Sequence, residues 1–201
     1  MGGSHNEREL METLDARIRR LVAEEVAIAP YDHAWPDMFR QERKHLLACL
    51  PAGLIGRIEH CGSTAVPGLA AKPIVDLLVE VADLERTRLE IAPLLEAQRY
   101  DYLWRPTHGD DGPPWYAWFI KRDPDTHVRT FHIHMVEAHF EHWSSLLFRD
   151  YLIQHPETAC EYESLKRRLA REYPHDRVAY TNGKAAFIEA VTATARCSRL
   201  D

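Results

Sequence analysis

The run His60-Cys-Gly-Ser-Thr-Ala-Val-Pro-Gly-Leu-Ala-Ala-Lys-Pro-Ile-Val-Asp76-Leu-Leu-Val-Glu80 constrains this chain more than any other. An apolar strand ends in the Gly62-Ser63 turn, and a second apolar strand then opens with a carboxylate, Asp76. Glycine has no Cβ, so the backbone there can approach a ligand closely. Gly62, Ser63, Thr64 and their amides are candidates to hold phosphate oxygens. Asp76 on the neighbouring strand is a candidate ligand for the Mg²⁺ that accompanies nucleotide phosphates. Residues 76, 78 and 80 share one face of that strand. Leu78 stands where a two-metal site wants a second acid, and Glu80 is the nearest carboxylate that could replace it.

The layout predicts a nucleotidyltransferase-like site, and the rest of the chain supplies the elements around it. Apolar residues at helical spacing predict an amphipathic helix over 7–25. A short extended segment follows, and Trp35-Pro36 opens a helix that stops at Pro51-Ala-Gly53. Strands are expected over 54–61, 73–81, 100–104, 115–121 and 128–136. Asp83 caps a helix to about 98, residues 106–114 form a polar turn-rich loop, and three helices occupy 140–154, 156–173 and 182–195. The pattern reads as an N-terminal extension over 1–25 and one α+β domain over 26–201 with a helical C-terminal part.

His132 and His134 are spaced i and i+2 on a strand, so both point to one side and can share an ion or a phosphate. If that strand lies beside Asp76, the three can bind a divalent metal. Histidine favours zinc, manganese or iron, whereas magnesium prefers oxygen. The set Asp76, Glu80, His132 and His134 is therefore the candidate metal site. Lys72, Arg149 and Lys184 are the cations expected to offset negative charge there, with Lys72 and Arg149 joining Asp76 as candidate catalytic residues. Arg149 and its neighbour Asp150 are expected to point apart. Lys184 is expected at a helix start capped by Thr181 or Asn182. Lys166, Arg167, Arg168 and Arg171 read as a solvated basic face. Trp104, Trp115, Trp118 and Trp143 read as core.

The balance of 25 basic and 31 acidic residues gives a net charge of −6, which weighs against nucleic acid as a partner. The expected partner is a small phosphorylated molecule, with ATP or another nucleotide as cofactor and Mg²⁺, Mn²⁺ or, alternatively, Zn²⁺ as the metal. Cys49, Cys61, Cys160 and Cys197 show no zinc spacing, and no signal peptide or bilayer-length apolar run is visible. Free thiols, a cytoplasmic location and no membrane partner are expected, with a homodimer allowed.

Five pieces resemble the GrpB family: Pro30-Tyr-Asp-His-Ala-Trp35-Pro, the 60–76 block, Phe131-His-Ile-His134, Phe148-Arg-Asp-Tyr-Leu152 and Tyr180-Thr-Asn-Gly-Lys184. The resemblance implies a nucleotidyltransferase-like fold: a small mixed sheet flanked by helices, the Gly-Ser turn over the pocket and Asp76 at its heart. It implies no settled reaction. Members also lack the second acid, so Leu78 departs from the wider superfamily, in which paired carboxylates bridge two ions. The alternatives to a metal-dependent nucleotidyltransferase-like enzyme are a mononuclear His/Asp metal enzyme, performing hydrolysis, cyclisation or group transfer, and a non-catalytic binding module.

Overall fold

Alternating strands organise the molecule around a five-stranded sheet of order β1-β2-β5-β4-β3. The structure is a computed structural model that describes residues 24–106 and 113–198. All but the last two residues of the helix expected over 7–25, and most of the loop expected over 106–114, lie outside the described residues. The strands are β1 (Ile55–Cys61), β2 (Val75–Val81), β3 (Asp101–Pro106), β4 (Trp115–Arg122) and β5 (Arg129–Val136). Strand β2 runs parallel to β5 and antiparallel to β1, while β4 runs antiparallel to both β3 and β5. The sheet is therefore mixed, and the fold is α+β with helices flanking the sheet and a helical C-terminal part, as expected.

Period-two alternation assigns the two faces. Val75, Leu77, Val79, Phe131, Ile133 and Met135 enter the main core with Ala117 and Phe119. Helix α1 (Trp35–Cys49), entered through Pro36 in its first turn, seals that face with Trp35 and Leu46. Ile91, Ala92 and Leu95 do the same from α2 (84–96). The Asp83 carboxylate accepts from Arg86 N–H at the start of α2. The helix then passes through a π turn, Thr87–Ile91, in which the Ala92 N–H reaches Thr87 O. Pro93 sits just beyond and has no N–H to return to the preceding turn, which is where such register changes occur.

The opposite sheet face carries Asp76, His132 and His134 beside a smaller cluster that includes Leu78, Leu103, Tyr116, Trp118 and Ile120. The C-terminal part consists of α3 (Ser145–Gln154), α4 (Pro156–Glu172), α5 (Arg177–Asn182) and α6 (Ala185–Cys197). Phe148, Leu152, Tyr162 and Val191 pack these helices against Val66 and Leu69 of the loop between β1 and β2.

Three expectations need correction. Thr181 and Asn182 end α5 and do not cap the next helix; Asp176 caps α5 through Val178 and Ala179 N–H, and Lys184 immediately precedes α6. The chain changes direction at Gly183, where a Cβ would lie 2.6 Å from Leu169 Cδ2, so glycine lets the junction sit against α4. Lys166 is not solvated: it is 2% exposed and its ammonium donates to Ala70 O. Its helix face turns onto the β1–β2 loop, which helical spacing alone does not reveal. Of the four tryptophans expected in the core, Trp118 is buried, whereas Trp104, Trp115 and Trp143 are half-buried. All four cysteines are free thiols. Among the described residues, no helix is long and apolar enough to cross a membrane.

Candidate functional site

Sheet register builds the site. Asp76 lies opposite Cys61 on β1 and opposite His132 on β5, and His134 lies opposite Leu78 and Trp118. Asp76, His132 and His134 each offer a ligand atom within 4.8 Å of the others. His132 Nδ1 is 3.2 Å from Asp76 Oδ1. That distance suits a direct hydrogen bond, and it also suits two ligands on one ion, since tetrahedral ligands at zinc-like bond lengths lie about 3.3 Å apart. His134 Nδ1 is buried with no hydrogen-bond partner among the described residues. A buried nitrogen in that condition fits a metal ligand.

Protonation states agree with that use. Burial holds His132 down to about 4, against the opposing pull of Asp76, and holds His134 down to about 3. Burial alone would raise Asp76, but the His132 hydrogen bond and nearby positive charge leave it below its ordinary value. Two neutral imidazoles and one carboxylate are the states a divalent ion requires. This donor set suits zinc, manganese or iron better than magnesium. Arg129 Nη1 lies 3.4 Å from His132 Nε2, and its own Nε is held 2.6 Å from Glu24 Oε2.

The Gly62-Ser63 turn sits directly against Asp76. Gly62 has φ +70°, and a Cβ there would fall 2.4 Å from Asp76 Oδ2. Ser63–Ala65 form a short 3-10 turn. Thr64 is buried with its hydroxyl 3.0 Å from His60 Nε2, and the Ser63 hydroxyl is hydrogen-bonded to Tyr162 of α4. These contacts fix the turn against Asp76.

Lys72 and Lys184 converge on one ring from distant parts of the sequence. Their ammonium groups lie 5.3 and 4.4 Å from the Tyr180 ring centroid. Burial pushes Lys72 down to about 7, helped by Lys184 and Arg177, and pushes Lys184 down to about 8 against the pull of Asp76. Among the described residues, no carboxylate oxygen lies within salt-bridge distance of either. Nearby Arg177 instead reaches Glu24, at 3.4 Å.

The remaining candidates lie elsewhere. Glu80 is outside the Asp76–His132–His134 group; it pairs with Arg57 at 2.9 Å, near the far end of β2. Leu78 is 1% exposed within the apolar cluster beside His134. Arg149 and Asp150 do not point apart, because the long guanidinium folds back to within 2.7 Å of its neighbour's carboxylate. Arg149 also donates to His60 O at 2.7 Å and so ties α3 to the end of β1. Sequence reasoning missed Tyr180, Arg177 and Glu24. The fixed separation of Tyr180 and Lys184 around Gly183 was the available signal for the first; the others have none at the level of local pattern.

The family model described as GrpB protein matches residues 25–194. The chain belongs to the GrpB family. A UPF0157 protein of Pseudomonas aeruginosa is 40% identical over 161 residues, covering 79% of this chain and 63% of that protein. The chain thus spans less than two thirds of that relative's length. Glutamate-rich protein GrpB of Alkalihalophilus pseudofirmus is 35% identical over 168 residues, covering 83% of this chain and 94% of the relative. The crystal structure of conserved protein GrpB from Enterococcus faecalis matches with a TM-score of 0.71 and 32% identity, over 87% of this chain and all of that one (100%). The GrpB architecture therefore extends across the sheet and the helices that carry the site.

Proposed function

We propose that this GrpB protein is a metal-dependent enzyme acting on a nucleotide or another small phosphorylated molecule. One observation carries the reading: the Asp76, His132 and His134 ligand atoms lie within 4.8 Å of one another beside two half-buried lysines. Asp76, His132 and His134 would hold the ion, which when bound would supply Lewis-acid stabilisation of negative charge on phosphate oxygens. Lys72 and Lys184 would bind the phosphate chain and oppose charge that grows during reaction. Gly62 lets the turn approach Asp76; the Ser63 and Thr64 hydroxyls, expected to hold phosphate, are instead taken by Tyr162 and His60, so the turn would position Asp76.

Leu78 argues for one ion in place of two, since paired carboxylates are what bridge a second. Manganese or zinc fits the histidines better than magnesium. A second reading, a mononuclear metal enzyme working by hydrolysis, cyclisation or group transfer on a small polar substrate, is favoured by the unpartnered His134 Nδ1. Calorimetry with Mn²⁺ and ATP tests the first reading: the wild type should bind ATP only with the metal, and Asp76→Ala should abolish that binding. Unchanged ATP binding in Asp76→Ala would overturn it. Tight stoichiometric Zn²⁺ in the purified protein, without ATP binding, would establish the second.

A further inference from the structure

We propose that the sheet face beyond His134 is the nucleobase end of this site, with a planar, acceptor-bearing heterocycle seated against Trp118 and hydrogen-bonded by its indole N–H and by Arg105. The proposal rests on the phosphate reading above and deepens it from a phosphorylated molecule to a nucleotide.

Register puts Leu78, His134, Trp118 and Leu103 in one row across β2, β5, β4 and β3. Trp118 is 8% exposed and shares an apolar floor with Leu78, Leu103 and Tyr116 beside the metal trio, with Phe140, Trp143 and Leu146 packed against it. Leu78 acquires a purpose in this arrangement. The position at which a second acid would stand belongs to the floor, where a carboxylate would be desolvated against an aromatic ring.

Two buried nitrogens on this row have no hydrogen-bond partner among the described residues: Trp118 Nε1 and His134 Nδ1. They belong to residues directly opposite each other on adjacent strands. If the ion takes the imidazole nitrogen, the indole N–H still lacks an acceptor. An indole only donates, and so does a guanidinium. The Arg105 guanidinium lies 4.7 Å from the Trp118 ring centroid, on an exposed residue of β3. His134 and His132 already pack on the Trp118 ring, at 6.1 and 5.0 Å between centroids, so the edge of a heterocycle, with its ring nitrogens and carbonyl oxygens, is what answers both donors.

The two ends lie on different sides of the trio. Lys72 lies three residues before β2 and shares the Tyr180 ring with Lys184, whereas Trp118 and Arg105 lie on β4 and β3, on the other side of β5. A nucleotide laid along the sheet would place its phosphates, then the metal ligands, then its base in that order.

The test compares ATP with inorganic triphosphate by calorimetry in Mn²⁺. Hydrogen bonds from the indole N–H and Arg105 should make wild-type binding of ATP about tenfold tighter than that of inorganic triphosphate. Arg105→Ala, at an exposed position, and Trp118→Phe, which keeps a ring but loses the N–H, should each shrink that preference when ATP affinity is read against the same variant's triphosphate affinity. Equal wild-type affinities would overturn the base end alone, as would a preference that survives Arg105→Ala. Failure of both probes to bind the wild type would overturn the phosphate reading and this proposal together.

Discussion

At Gly62, a hydrogen atom in place of a methyl group lets the site close. The residue combines φ +70° with a position from which a Cβ would meet Asp76 Oδ2 at 2.4 Å. Left-handed backbone disfavours any other residue, and the clash falls on the carboxylate that His132 also holds. Gly62→Ala should lower stability by about 1–3 kcal/mol and weaken Mn²⁺ binding in calorimetry. Gly53→Ala is the matched control, because nothing lies within 4 Å of its added Cβ. Equal melting temperatures and equal Mn²⁺ affinity in both variants would show that the turn does not depend on the glycine. The importance of Gly62 and Asp76 was legible in the sequence, since a turn glycine and an acid opening an apolar strand both stand out. Their contact was not legible, because cross-strand register decides it.

The element that secures the turn is α4. Glu163 Oε2 accepts from Ala70 N–H at 3.0 Å, and the Lys166 ammonium donates to Ala70 O, so one helix holds both polar groups of one peptide residue. Removing Lys166 leaves a buried carbonyl unpaired. Lys166→Met should therefore cost about 1–3 kcal/mol in chemical denaturation. Arg167→Ala removes only an exposed pair with Glu163 and should change stability by less than about 0.5 kcal/mol. A Lys166→Met variant as stable as wild type would remove α4 from this role. The strands were readable because apolar alternation repeats every two residues, and the helix over 156–172 because it begins at Pro156 and keeps its spacing. The inward turn of Lys166 was hidden, since a run of four cations on a helix looks the same whether one of them is buried or none is. His132 and His134 sharing a face followed from spacing; the approach of Lys72 to Lys184 came from folding back the C-terminal helices.

Across the whole molecule, a net charge of −6 coexists with two lysines crowded at the site, Lys72 and Lys184, and with Lys166 buried under the β1–β2 loop. Lys72, Lys166 and Lys184 are pushed down to about 7, 7 and 8, first by burial. Their unfolded value is 10.5, so the unfolded chain binds more protons than the native one between roughly pH 7 and 10. Native stability must then rise with pH across that interval. The histidines act lower down: His60, His132 and His134 sit near 4, 4 and 3 against 6.5, so their contribution is complete above pH 6.5 and is lost as pH falls toward 4. A bound polyanion reverses the lysine effect, because it favours their charged forms in the native state. Melting curves should therefore climb between pH 7 and about 9 in the free protein, and the climb should flatten when inorganic triphosphate and Mn²⁺ are present. Lys72→Met removes one crowded charge, so at pH 7 it should stabilise the protein by roughly 1 kcal/mol while losing triphosphate affinity, the trade expected where a binding site is held at the expense of the fold. A flat profile in the free protein, or a Lys72→Met variant that keeps full triphosphate affinity, would mean that these cations are accommodated for a reason other than holding phosphate.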